Sequence, residues 1–171
     1  MGGRDKSRLL VQGQSIINRQ LDILQPLTPH IFIVAPDPDR FADLGLRVVP
    51  DCLPGLGAIG GIYTAVDAAP AGRVITIACD LPFLEAAWLE QLVNLSTGRD
   101  GAWVRTSRGP EPLVACYRRR ARAAIRAQID AGDLTAAHLG RVLNLAELDA
   151  PDRLLVNINT PEDYDRYNVP E

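Results

Sequence analysis

Val74-Ile75-Thr76-Ile77-Ala78-Cys79-Asp80-Leu81-Pro82-Phe83 decides how this chain is read. An unbroken apolar and β-branched run predicts a strand buried on both faces, and the proline that follows turns the chain away. A carboxylate, Asp80, is thereby delivered to the C-terminal tip of a buried strand. Open α/β sheets bind their ligands at that place. Working outward, short apolar runs at Ile31–Ala35, Leu46–Val49, Trp103–Val104, Val114–Tyr117 and Leu154–Ile158 predict further strands. Helical patterns lie between most of them. Ile16, Ile17, Leu21 and Leu24 share one helical face after Ser15, a suitable N-cap, and Pro26 ends that helix. Ile59–Ala68 follows a glycine cluster, Glu85–Leu95 follows Pro82, and Arg118–Ala131 runs to a stop at Gly132. Strand and helix alternate, so the expected fold class is α/β, with a mostly parallel sheet and helices on both faces. The polar Asp100–Pro112 stretch is expected to be a mobile loop.

Composition agrees and narrows the function. The 171 residues match one domain, and 47% hydrophobic content with only 5% aromatic residues suits aliphatic packing of helices on a sheet. A net charge of −3 with interspersed signs gives no general attraction to nucleic acid or anionic lipid, so a phosphate-bearing ligand must be held locally. Cys52, Cys79 and Cys116 form no CxxC pair, which argues against a disulfide framework or zinc site and for reduced thiols. No apolar run reaches the ~18–20 residues of a membrane span, and no secretory signal opens the chain, so a cytoplasmic location is expected.

Four places carry candidate chemistry. Magnesium takes one or two carboxylates and fills its octahedron with water and phosphate oxygens, so Asp80 alone can hold it; capping the helix near Glu85 is the plainer role. Cys79 is expected to be a small buried core residue. At the chain start, Gly2 and Gly3 let backbone amides approach a phosphate and Lys6 adds positive charge, although such a start also describes a frayed end. The Gly-Lys-Ser/Thr ending of a Walker A loop is absent. Asp51 ends a strand before a loop with Gly55, Gly57, Gly60 and Gly61, which either brings backbone amides and a helix N-terminus to an anion or makes a tight turn. Finally, Asn157 and Asn159 project to one side of an extended segment before Thr160-Pro161-Glu162-Asp163, a helix start. His30 and His138 receive no role.

Taken in order, Met1-Gly2-Gly3-x-Asp5-Lys6, Asp51 with Pro54-Gly55-x-Gly57, Cys79-Asp80-x-Pro82-Phe83, Glu111-Pro112-Leu113 and Asn157-Ile158-Asn159-Thr160-Pro161-Glu162-Asp163 closely resemble molybdenum cofactor guanylyltransferase over essentially the whole chain. The resemblance implies a Rossmann-like nucleotidyltransferase that uses Mg2+ to join GMP from GTP to molybdopterin, releasing pyrophosphate. It implies that Gly2, Gly3, Lys6, Asp51 and Asp80 face GTP, that Lys6 and Asp80 are catalytic, and that Asp80 holds the metal. Gly57, Gly60, Asn157 and Asn159 would line the pterin side, and other cofactor-synthesis proteins are implied partners.

The family pattern opens with a strand, Leu-Ala-Gly-Gly and an arginine that have no counterpart before Met1. The expectation is one nucleotidyltransferase domain over residues 1–171, N-terminally truncated within its nucleotide loop. Ala58 stands where the family often has proline, and Val34 where some members have asparagine. Two alternatives stay open: a related transferase using CTP or another acceptor, and a remnant that binds nucleotide or a partner without turnover.

Overall fold

The computed structural model describes residues 6–157. A 3-10 turn at Lys6–Arg8 leads into a small hairpin, β1 (Leu10–Val11) and β2 (Gln14–Ser15), then α1 (Ile16–Leu24), β3 (Phe32–Val34), β4 (Arg47–Val49) and α2 (Ala58–Ala68). There follow β5 (Arg73–Ile77), α3 (Ala86–Leu95), β6 (Gly101–Thr106), β7 (Gly109–Arg118), α4 (Arg122–Asp130), α5 (Leu139–Val142) and β8 (Leu145–Asp149). Ser15 caps α1 as its sequence suggests, its hydroxyl accepting from the Asn18 amide at 3.4 Å.

A four-stranded sheet of order β5-β7-β6-β8 forms the centre, and β3 and β4 pair separately in parallel. The expected α/β architecture is present, and its sheet is mixed: β7 runs antiparallel to both β5 and β6, whereas β6 and β8 are parallel. The cause is local. Only Ser107 and Arg108 separate β6 from β7, and a two-residue connection can only reverse the chain. The Asp100–Pro112 stretch is therefore not a mobile loop but a hairpin. Its register shifts between Trp103↔Ala115 and Val104↔Glu111, leaving Pro112 in a bulge, where its missing N–H breaks no ladder bond.

Period-two alternation sends β6 and β7 side chains into two cores. Trp103, Ala115 and Tyr117 pack under Ile59, Ile62 and Val66 of α2 and Ile125 of α4. Ala102, Val104, Val114 and Cys116 pack under Leu89 and Leu92 of α3, with Ile23 and Leu24 of α1 at the margin. Helices thus cover both faces. Burial raises the pKa of the Cys116 thiol and of the Tyr117 hydroxyl, which donates to the Pro112 carbonyl at 2.8 Å.

Two segments depart from their sequence reading. The predicted strand Leu154–Ile158 is, as far as Asn157, a 3-10 turn at Asp152–Leu155 and a short coil, and it buries Leu154 and Leu155. Pro151 and Asp152 explain it: the Leu154 amide donates to the Pro151 carbonyl at 3.0 Å, and Asp152 accepts from the Ser107 amide at 3.0 Å. The strand at that end is instead β8, which the apolar pattern does not reveal.

β6 lies between β7 and β8, and Gly101 opens it. A Cβ there would stand 2.5 Å from the Cys116 carbonyl, which is backbone and cannot swing aside. Gly101→Ala is expected to destabilise the domain by about 1–3 kcal/mol, read as a lower urea midpoint with unchanged slope.

Candidate functional site

The loop after β4 is held to α2 by one buried hydroxyl. Thr64, in the second turn of α2 and 2% exposed, donates to Asp51 Oδ1 at 2.8 Å and accepts from the Cys52 amide at 3.2 Å. Asp51 Oδ1 also accepts from the Leu53 amide at 2.9 Å, so one oxygen of this carboxylate is committed to the loop itself. Gly57 takes φ 65° as it enters α2, a left-handed value that a side chain would strain. Gly60 is buried because nothing larger fits: a Cβ would meet the Leu53 carbonyl at 2.9 Å and Asp51 Oδ2 at 3.3 Å. α2 begins after Gly57 with no side-chain cap on its first turn, and uncapped first amides of a helix suit an anion.

Asp80 follows β5 in a tight turn, half-buried, and its carboxylate has no hydrogen bond or ion pair to any described residue. The backbone around it is fixed from below. Gln20 on α1, 7% exposed, donates from Nε2 to the Ala78 carbonyl at 2.6 Å and to the Leu81 carbonyl at 3.4 Å. Leu81 and Leu84 anchor the far side of the turn in the core. Sequence reasoning missed Gln20; the signal was a polar side chain on the same helical face as Ile16, Ile17 and Leu24. Cys79, expected in the core, is exposed, because the strand has already ended at Ile77.

Lys6 is half-buried in the first turn, which packs on α1. Leu9 and Val11 share a cluster with Ile16 and Phe83, which seats that turn beside the segment following Asp80. Asp51, Gly57 and Cys79 line one cavity, onto which the segments after β4 and β5 both open. Lys6, Gly60, Asp80 and Asn157 are not part of its lining. Asn157 is half-buried just after the Asp152–Leu155 turn, and Gly2, Gly3 and Asn159 lie outside the described residues. Among the described residues, no three His, Cys, Asp or Glu side chains gather as a protein-only metal cage. A lone oxygen donor with open neighbours suits magnesium, which completes its shell with water and phosphate. No described helix is long and apolar enough to cross a membrane.

A mixed α/β sheet with a free carboxylate at one strand tip and a glycine loop opening a helix at the next defines the nucleotidyltransferase class. The 2-C-methyl-D-erythritol 4-phosphate cytidylyltransferase of Thermus thermophilus shares the fold with a TM-score of 0.70 at 13% identity, over 95% of this chain and 92% of that one. Within the class, the chain belongs to the MobA-like NTP transferase domain family, whose model matches residues 1–150. It is 33% identical to a probable molybdenum cofactor guanylyltransferase of Chloroflexus aggregans, over 94% of this chain and 84% of that protein. The molybdopterin-guanine dinucleotide biosynthesis protein A of Archaeoglobus fulgidus superimposes with a TM-score of 0.77 at 25% identity, over 97% of this chain and 90% of that one.

The Thr64 hydroxyl is what joins loop to helix. Thr64→Val keeps the shape but leaves Asp51 Oδ1 with only the Leu53 amide and strands the Cys52 amide, at a cost of about 1–3 kcal/mol. Thermal unfolding should show that loss, with Thr64→Ser close to wild type.

Proposed function

We propose that this chain transfers GMP from GTP to the terminal phosphate of molybdopterin and releases pyrophosphate, forming the guanine dinucleotide form of the cofactor. The observation that carries the reading is the unclaimed carboxylate of Asp80 at the tip of β5, within a chain whose curated relatives are named for this reaction.

An oxygen of the molybdopterin phosphate attacks the α-phosphorus of GTP, and the bond from that phosphorus to the bridging oxygen of the β-phosphate breaks. The attacking phosphate, with a second pKa near ~6, is already largely ionised at neutral pH, so the chain needs no general base. Its work is positioning and charge neutralisation. Asp80 would hold Mg2+, which would supply positive charge to offset the negative charge of the phosphates. Lys6, Gly2 and Gly3 are assigned to the triphosphate. Asp51 is assigned to the GTP site and orders the glycine loop, while Gly57, Gly60, Asn157 and Asn159 are assigned to the pterin side. A reaction between two soluble phosphorylated substrates belongs in the cytoplasm, where other cofactor-synthesis proteins would deliver the acceptor and take the product.

Asp80→Asn is expected to lower GMP transfer by about 10²–10³-fold with the circular dichroism spectrum unchanged. Chelation with EDTA should abolish pyrophosphate release and added Mg2+ should restore it. The nucleotide is tested by comparing kcat/KM for GTP and CTP with molybdopterin as acceptor; a preference for CTP would overturn the guanylyl reading, and no turnover with either would overturn the assignment of catalysis to this chain.

A further inference from the structure

The ladder between β5 and β7 ends on two like charges. Arg73 opens β5 and stands directly opposite Arg118, the last residue of β7. The Arg119 amide donates to the Gly72 carbonyl at 2.9 Å and the Arg118 amide to the Asp100 carbonyl at 2.8 Å. Arg73 and Arg118 therefore form a non-hydrogen-bonded pair, the kind in which opposed Cα atoms approach to about 4.5 Å. Period-two alternation puts both on the α3 face, Arg73 with Ile75 and Ile77, and Arg118 with Val114 and Cys116. Like charges placed in this way cost stability, and nothing in the packing of the sheet requires them.

Three further arginines surround the pair. Arg119 and Arg120 follow Arg118, and Arg99 precedes the Asp100 to which Arg118 is bonded. Only Arg120 reaches a carboxylate, Asp100 Oδ1 at 2.8 Å, and Asp100 Oδ2 accepts from the Asn144 amide at 2.9 Å. Arg118 and Arg119 donate to carbonyls at the C-termini of α3 and α2, Ser96 at 3.3 Å and Ala69 at 3.2 Å, and Arg99 donates to Asn144 Oδ1 at 3.2 Å. The Arg73 side chain has no hydrogen bond or ion pair to any described residue. Bonded to these five guanidinium groups, among the described residues, are one carboxylate and two helix ends worth about half a charge each, which leaves about three positive charges uncompensated. The whole chain carries −3, so this end is charged against the sign of the rest.

We infer that this end of the sheet is a docking surface for a short acidic segment of a partner protein. Guanidinium forks match carboxylates in shape and charge. Leu95, 38% exposed and next in sequence to the Ser96 that Arg118 bonds, adds an apolar contact that a polypeptide can use and a phosphate backbone cannot. The net charge of −3 opposes a long polyanion or an anionic bilayer, whereas a short segment meets mainly the local surplus, because charges beyond about 8 Å are screened. Roughly four extended residues span the ~10 Å across β5, β7 and β6. Arg73 lies at the opposite end of β5 from Asp80, so a protein held there leaves Asp80 uncovered. The inference does not rest on the guanylyl reading, and its test uses no nucleotide substrate.

The test follows binding of a dye-labelled peptide, Asp-Glu-Leu-Glu-Asp with blocked ends, to the full chain by fluorescence anisotropy at physiological ionic strength. The peptide should bind saturably, and its Asn-Gln-Leu-Gln-Asn counterpart should not. Arg73→Glu should weaken binding at least about tenfold, whereas Arg153→Glu, the same change in net charge in the turn after β8, should change it less than about twofold. Arg73→Glu also turns the like pair with Arg118 into an opposite one, so its Tm should equal or exceed that of wild type. The inference is overturned by the absence of saturable binding, by equal weakening in the two variants, or by a lower Tm for Arg73→Glu, which would show that Arg73 serves the fold. Tighter binding of an oligothymidylate of the same charge, or of phosphatidylserine vesicles, than of the acidic peptide would overturn it as well.

Discussion

Burial of β6 and β7 on both faces is the constraint from which the rest of the structure follows. Ala102, Val104, Val114 and Cys116 on one face, and Trp103, Ala115 and Tyr117 on the other, are all at most 2% exposed. A hairpin apolar on both sides must be sandwiched, and α2 with α4 and α3 with part of α1 form the two outer layers. Burying one Ile or Leu contributes about 1.5–3 kcal/mol, so a dozen such side chains outweigh any single polar contact in the molecule. The place of β5 follows, since all five of its residues pair with β7. Asp80 inherits its position from that ladder, and the Gln20 hydrogen bonds, worth about 0.5–1.5 kcal/mol each, adjust the turn rather than create it.

Asp51 and Asp80 look equivalent in the sequence, each an aspartate just beyond a buried strand. Their surroundings separate them. Asp51 spends Oδ1 on the Thr64 hydroxyl and the Leu53 amide, and its other oxygen lies near the packed Gly60. Its first task is to shape the loop. Asp80 meets no described donor, so nothing competes with a metal or phosphate ligand for its carboxylate. A free half-buried carboxylate is poor design for stability and good design for ligand binding, which is why we propose Asp80 rather than Asp51 as the magnesium ligand.

Much of this was legible because it depended on local chemistry. The N-cap Ser15, the apolar runs of β3, β4 and β5 and the helix after the glycine loop announce themselves through periodicity and capping. β8 did not, because Leu145-Ala-Glu-Leu148 favours a helix, Asp149 is of a type depleted in strands, and the segment becomes a strand only by pairing with β6. Leu154 and Leu155 misled in the opposite sense: two apolar neighbours suggest a strand, but Pro151 and Asp152 start a turn that drives both into the core. In the Asp100–Pro112 stretch, Gly109 and Pro112 suggested a loop, whereas they mark a hairpin turn and a bulge. Gln20 and Thr64, which set the two candidate loops in place, were invisible because their partners lie 58 and 13 residues away in sequence.

The stability of the site is set by which body each loop is fastened to. β3 and β4 form a two-stranded sheet whose own core is Ile17, Ala35 and Phe41 with a few partly buried neighbours, far less apolar surface than lies under α2 or α3. Such a unit opens at lower free energy than the central sheet. The glycine loop leaves β4, yet its clip is Thr64 on α2, and α2 belongs to the large core through Ile59, Ile62 and Val66. Asp80 is likewise carried by β5 and Leu81. Both candidate loops are therefore fastened to the stable body although one of them departs from the weak one, so partial opening of β3 and β4 leaves the geometry at the exits of β5 and the glycine loop in place.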